Sequence, residues 1–253
     1  MNGNGIEFID TLISETGVYS FVQQKIAEKL TLNGGLRNQN HSVYGNHWIP
    51  SAGFALQLGR STTWKGNFSK GFRSPTIREL FMWGPNPDLS PENIYNYETG
   101  VSAGFFEGKM KSEITFFQVN GDNLIVRVPM QGLLNSGEIS NRGIEFSADT
   151  RPLSNLSINA TYSYINMKNP VFATPEHHIF ISGHYVIGDF QVMGSLQQIM
   201  DLDSDPSPKV HQEDYTLLKA KFSYNINNNL KWYISGENLL NETYQVNRYY
   251  TMP

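Results

Sequence analysis

The sequence predicts an all-β protein: an antiparallel transmembrane β-barrel, here a partial barrel of about twelve strands. Three observations carry this reading. Segments of roughly ten residues alternate apolar and polar side chains. Short and long connections alternate along the chain, as they do between the two rims of an outer-membrane barrel. Aromatic residues make up 13 % of the 253 residues, with 13 Tyr and 15 Phe, enough to furnish girdles at two membrane interfaces.

In chain order, strands are expected at 18–26 and 30–38 around a tight connection at 27–29, and at 48–58 and 62–72 around 59–61. Pairs follow at 93–105 and 109–119 around 106–108, and at 139–150 and 156–167 around 151–155. The last pairs are 176–187 and 190–200 around 188–189, and 215–226 and 230–237 around 227–229. Gly, Asn and Asp at these connections would supply the positive φ of hairpin turns. The longer connections are 41–47, 73–92, 120–138, 168–175 and 201–212.

The alternation is cleanest at 215–226. Thr216, Leu218, Ala220, Phe222, Tyr224 and Ile226 fall on one face, and Tyr215, Leu217, Lys219, Lys221, Ser223 and Asn225 on the other, because successive strand side chains point opposite ways. Leu230, Trp232 and Ile234 likewise oppose Lys231, Tyr233 and Ser235. Ile144, Phe146 and Ala148 oppose Glu145, Ser147 and Asp149. The apolar face would meet lipid and the polar face a lumen. In 178–186 both faces carry apolar residues, and periodicity assigns no outward side. Glycines inside strands (Gly34, Gly35, Gly66, Gly183, Gly194) are expected at bends or bulges.

Composition agrees. The mean hydropathy of −0.38 and hydrophobic content of 39 % suit strands that are half polar. A net charge of −4 without a basic stripe speaks against a nucleic-acid partner. There is no cysteine, hence no disulfide framework and no thiolate metal site. No apolar run approaches the roughly eighteen residues of a membrane-spanning helix. Residues 1–5 lack the basic and apolar regions of an export signal, so the expectation is a piece of a longer chain.

The stretch from Phe68 to Leu80, containing Arg73-Ser74-Pro75, resembles the TonB-dependent receptors of Gram-negative outer membranes. So do Asn86-Pro87-Asp88-Leu89-Ser90-Pro91-Glu92, Asn96-Tyr97-Glu98-Thr99-Gly100 and Asn141-Arg142-Gly143-Ile144-Glu145. Gly236-Glu237-Asn238-Leu239-Leu240-Asn241-Glu242-Thr243-Tyr244 looks like the family's penultimate strand, and 249–253 like the loop before the last strand. These motifs occur in family order.

The resemblance implies that residues 1–253 are the C-terminal portion of a plugged barrel of about 22 strands, with the plug domain and the final strand absent. It implies partners: the plug and TonB through the missing N-terminal part, the lipid bilayer, and a ferric siderophore or other metal-chelate ligand. It places the protein in the outer membrane of a Gram-negative bacterium and implies active, non-enzymatic uptake. A passive porin-like or adhesin barrel is the alternative; a barrel enzyme is disfavoured, because no nucleophile and base are paired in the sequence. No cofactor is expected.

The motif positions Arg73, Ser74, Pro75, Glu92, Tyr97, Glu98, Gly143, Glu145, Asn238 and Leu239 are expected to be structural. Pro75 ends a strand, and Ser74 stands where an N-cap would precede a helical turn through Arg78, Glu79 and Leu80. Glu98 and Glu145 fall on lumen-side positions and would meet lumenal Arg or Lys, or the plug. Asp201, Asp203 and Asp205 form a D-x-D-x-D run with calcium-type oxygen ligands, but Pro206 stands where an EF-hand wants Gly; a solvated acidic loop is the default. His177 and His178 point to opposite faces and cannot share one metal. Met82, Trp83, Tyr249 and Tyr250 are loop residues that would line a ligand mouth or anchor the loops.

Overall fold

The computed structural model describes residues 12–82, 84–128, 130–205 and 211–252. Twelve antiparallel strands form one sheet in which every neighbour in sequence is a neighbour in space. They are β1 (Glu15–Ile26), β2 (Leu30–His41), β3 (Gly45–Gln57), β4 (Thr62–Arg73), β5 (Glu92–Phe105), β6 (Met110–Val128), β7 (Gly132–Leu153), β8 (Leu156–Met167), β9 (Pro175–Ile187), β10 (Phe190–Asp203), β11 (Gln212–Asn227) and β12 (Leu230–Gly236). A short helix, α1 (Ile77–Phe81), lies between β4 and β5. A small hairpin, β13 (Tyr244–Asn247) and β14 (Tyr250–Met252), follows β12.

Three expectations change. The connection expected at 120–138 is mostly strand, because β6 and β7 continue as a paired hairpin up to Val128 and Gly132. Above the bilayer both strand faces meet water, so the alternation that marks a strand in the sequence fades there. The connection at 41–47 shrinks to the turn Ser42–Tyr44. The internal glycines do not mark bulges: pairing runs unbroken through all five. The register shifts sit instead beside Asn123, Asp201, Asn225 and 151–152. Left-handed backbone also falls on residues other than Gly, Asn and Asp in two hairpin turns, at Ala27 and Glu28 (φ 48° and 59°) and, just before Gly108, at Phe106 and Glu107 (φ 53° and 57°).

Register assigns the faces. Directly paired residues share a face, and one such row runs Leu32, Phe54, Gly66, Thr99, Phe116, Ile144, Tyr164, His177. The next row runs Asn33, Gly53, Asn67, Glu98, Phe117, Gly143. The first face is apolar and faces lipid; the second is polar and lines the lumen. For β9 the assignment that periodicity left open follows: Ile179, Ile181 and Tyr185 point outward, while His178, Phe180, Ser182 and His184 point inward.

The upper edge of the apolar band passes Trp48 on β3, Tyr95 on β5, Ile144 on β7 and Leu218 on β11. Relative to the paired rows it drops by about ten residues over eight strands. At ~3.3 Å per residue and ~4.8 Å per strand this is a tilt of roughly 40°. On β3 the band runs from Trp48 to Leu56, and at that tilt its height is about 20 Å, comparable with the ~25 Å band of outer-membrane barrels.

Buried apolar residues are few: Leu80, Leu89, Met167, Ile199 and Leu202. The bilayer takes the place of a core. Along β1 every residue is exposed.

Candidate functional site

The structured external loop is built on Arg73, the last residue of β4. Its Nε donates to Glu92 at the start of β5 (2.5 Å) and its Nη1 to Glu79 in α1 (2.9 Å). Glu92 is one-tenth exposed and also accepts from the Ile125 N–H (2.7 Å), tying the loop base to the β6 extension. Thr76, not Ser74, caps α1: its hydroxyl accepts from Glu79 N–H, and Glu79 accepts from Thr76 N–H at 2.7 Å, a reciprocal capping box. Pro75 between Ser74 and the helix shifts the cap two residues on. The Ser74 hydroxyl is buried without a hydrogen-bond partner among the described residues.

The rest of the loop is pinned by side chains. Tyr44 donates to the Leu89 carbonyl (2.9 Å), Asn86 to the Leu133 carbonyl (2.7 Å), and Asn135 exchanges hydrogen bonds with the Ser90 backbone (2.7 and 2.8 Å). Leu80 and Leu89 are buried beneath it.

Burial pushes the Glu79 carboxyl up, but the Arg73 hydrogen bond, the Thr76 contacts and the Arg73 charge outweigh it and hold the group at about 2. A carboxylate held below its ordinary value stabilises the fold above that ordinary value, and the contribution fades as pH falls toward the folded one. Loop protection therefore decreases between about pH 4.5 and 2. Hydrogen exchange of peptide 74–91 should show Glu79→Gln exchanging faster than wild type near pH 6 and converging with it at pH 2. Arg73→Ala removes both ion pairs and leaves Glu92 without its guanidinium. It should speed exchange of the same peptide by about tenfold, a cost of ~1–2 kcal/mol for a partly exposed group, with the barrel's unfolding midpoint little changed.

Below the loop lies the lumenal wall. Glu98 accepts from Asn96 (2.5 Å), and Glu113 pairs with Lys65 (2.5 Å). These residues share one lumenal groove with Glu145 and Thr115, of about 580 Å³. Phe117 lies across Gly143, whose inward face admits no side chain. Tyr97 faces the opposite way, outward, against Phe68 (5.1 Å between rings). Nearer the short turns, Lys111, Asp149, Asn159, His184, Lys219 and Lys221 line a second groove of about 1120 Å³. His177 stacks outward on Tyr164 and hydrogen-bonds the Tyr162 hydroxyl (2.9 Å), while His178 faces the lumen and contacts Gln197 (3.1 Å).

The Gly236–Tyr244 motif is not a strand. β12 ends at Gly236, and Asn238 and Asn241 take left-handed φ (49° and 55°). The Asn238 side chain closes the turn by donating to the Glu242 carbonyl (2.8 Å) and accepting its N–H (2.9 Å). Leu239 N–H donates to the Leu218 carbonyl (2.9 Å), docking the turn on β11.

The acidic run is divided. Asp201 takes a left-handed conformation (φ 55°) and its N–H donates to Asp214; Asp203 and Asp205 are buried, and Asp205 pairs with Arg248 of the β13–β14 hairpin. Among the described residues no group of three or more His, Cys, Asp or Glu is placed to hold a metal ion. Pro206 and Trp83 lie outside the described residues. Met82 follows α1, and Tyr249 and Tyr250 are exposed on the hairpin. The Arg73–Glu79–Thr76 network was only half legible: the residues stand in the motif, but their meeting depends on the loop's path.

A tilted antiparallel sheet with a lipid-facing outside, a charged lumenal wall and an ordered external loop defines a large transmembrane barrel of the receptor type. The chain belongs to the TonB dependent receptor-like β-barrel family, whose family model matches residues 3–239. It is similar to the iron-regulated outer membrane virulence protein of Vibrio cholerae, with 32 % identity over 47 % of this chain and 20 % of that protein. It is also similar to the vitamin B12 transporter BtuB of Photobacterium profundum, with 25 % identity over 67 % of this chain and 29 % of that one. Among solved structures, the siderophore receptor PiuA of Acinetobacter baumannii superposes with a TM-score of 0.79 at 16 % identity, over 93 % of this chain and 40 % of that one. The ferric-catecholate import receptor Fiu of E. coli superposes with a TM-score of 0.76 at 18 % identity, over 93 % and 41 %. At such identities the likeness speaks for the fold. The chain spans less than half the length of each of these four proteins.

Proposed function

We propose that the chain is the C-terminal part of the barrel of an outer-membrane receptor that takes up a ferric siderophore or a similar metal chelate, without covalent chemistry, in a Gram-negative bacterium. The observation that carries this is the lumenal wall. Lys65, Glu98, Glu113 and Glu145 on neighbouring strands present charge to the interior of a sheet whose other face is apolar. Such a wall calls for a polar occupant. A plug domain supplied by another part of the protein meets Glu98 and Glu145, and TonB supplies the energy that moves it. Further strands complete the barrel beyond β1 and β12, whose outer edges have no pairing partner among the described residues. The iron-linked and siderophore-linked names of the relatives favour a ferric chelate as cargo.

The test is uptake by the intact receptor in its own cell. Deleting the gene should abolish growth on one class of ferric chelate under iron limitation, and deleting TonB should have the same effect. Uptake that survives loss of TonB would replace this reading with a passive porin-like barrel. Unchanged growth on every ferric chelate, with loss of cobalamin or another nutrient, would move the cargo.

A further inference from the structure

The outward face of β3 to β8 is not smooth. Phe54, Trp64, Phe68, Tyr97, Phe116 and Ile144 wall a groove of about 990 Å³. Its floor is Gly66, where the Phe54 ring leans into the space a Cβ would occupy, 2.5 Å from that position. Two polar groups inside the groove satisfy each other: Trp64 Nε1 donates to Thr99 Oγ1 (2.9 Å), which donates to the Lys65 carbonyl (3.1 Å). The groove surface is therefore apolar without an unmet hydrogen-bond demand, the condition for holding a hydrocarbon chain rather than a polar solute.

At the external end of the groove the chemistry changes within one row. Gln118, Arg142 and Asn166 lie directly opposite one another on β6, β7 and β8, and all three border the groove. Arg142 points outward and is exposed, two residues above Ile144, the upper edge of the apolar band on β7. Among the described residues its guanidinium joins no ion pair. Gln118 is turned up toward Asn120 (3.2 Å), which leaves the guanidinium clear. A lone cation on a lipid-facing surface is costly within hydrocarbon and settles at head-group level. There a guanidinium engages phosphate through paired hydrogen bonds.

We propose that this surface is a binding site for one anionic, phosphate-headed membrane lipid, with an acyl chain in the Gly66-floored groove and the phosphate on Arg142, flanked by Asn166. The occupant follows from position: the groove opens on the face that meets the bilayer, and a free phosphate would leave the groove empty. The site is separate from the lumen and independent of which cargo the receptor carries.

The test titrates the intact receptor, purified in detergent, with dioleoyl-phosphatidylglycerol and with dioleoylglycerol, counting retained lipids by native mass spectrometry. Wild type should retain one phosphatidylglycerol in preference to the head-group-free lipid. Arg142→Gln should raise the half-saturating phosphatidylglycerol concentration about tenfold, the loss of one charge-assisted contact, and leave dioleoylglycerol unchanged. Arg142→Lys should recover part of the preference. Ile144→Trp, which fills the groove with an apolar ring suited to a lipid-facing surface, should weaken both lipids. Equal phosphatidylglycerol retention by wild type and Arg142→Gln overturns the phosphate contact, and equal retention by Ile144→Trp overturns the groove. Matching unfolding midpoints of all variants show that the differences are not loss of fold.

Discussion

Phe146→Arg should cost about 1–3 kcal/mol of barrel stability, while Ser147→Arg, one residue along the same strand, should cost less than ~1 kcal/mol or stabilise. Phe146 points outward between Ile114 and Tyr162, the next outward position below Ile144 in the upper part of the apolar band on β7. An arginine there faces hydrocarbon below the head groups and must reach up past Ile144 to shed part of the cost. Ser147 points into the lumen directly opposite Glu113. An arginine there gains a carboxylate already committed to Lys65 and remains in a polar space. The measurement is the urea midpoint of the intact receptor folded into vesicles, followed by tryptophan fluorescence. Equal sensitivity at the two positions would mean that the sheet does not separate lipid from lumen.

Gly143→Val should destabilise by about 3 kcal/mol, at the upper end of the overpacking range. A Cβ on Gly143 would run into the Tyr164 carbonyl and lie 2.5 Å from the Phe117 ring. The ring can swing, but the carbonyl belongs to the β7–β8 ladder and moves only if the strand pairing moves. The control is Gly183→Ala on β9, where the added methyl meets nothing within 4 Å. That change should be neutral or slightly stabilising, because alanine loses less backbone freedom on folding than glycine. The same urea midpoints separate the two. If Gly143→Val matches Gly183→Ala, close approach is not what glycine supplies at Gly143.

The strands within the membrane were legible because the bilayer imposes a period of two on any strand that crosses it. β4, β5, β8 and β11 lie within a few residues of their expected limits for that reason. Outside the bilayer the constraint lapses. The upward extension of β6 and β7 through Leu124–Val128 and Gly132–Gly137 carries mixed side chains on both faces, and only its ladder of backbone pairs defines it. Position 74 illustrates the same limit at one residue. A serine before a helical turn reads as a cap, but the proline that follows carries the chain past it to Thr76, whose carboxylate partner Glu79 closes the box.

The class was already written in the chain: an outward apolar and inward polar sheet of about a dozen strands, and the family motifs in order. Local alternation and turn chemistry encode those, and each is read from residues a few positions apart. The tertiary structure alone decided which face of β9 is wet, that Arg73 joins Glu79 to Glu92, that the Asn238 motif is a turn, and that Arg142 stands at the head of an apolar groove. Each of these depends on strand register and tilt, which bring together residues tens of positions apart and set how high each one stands in the membrane.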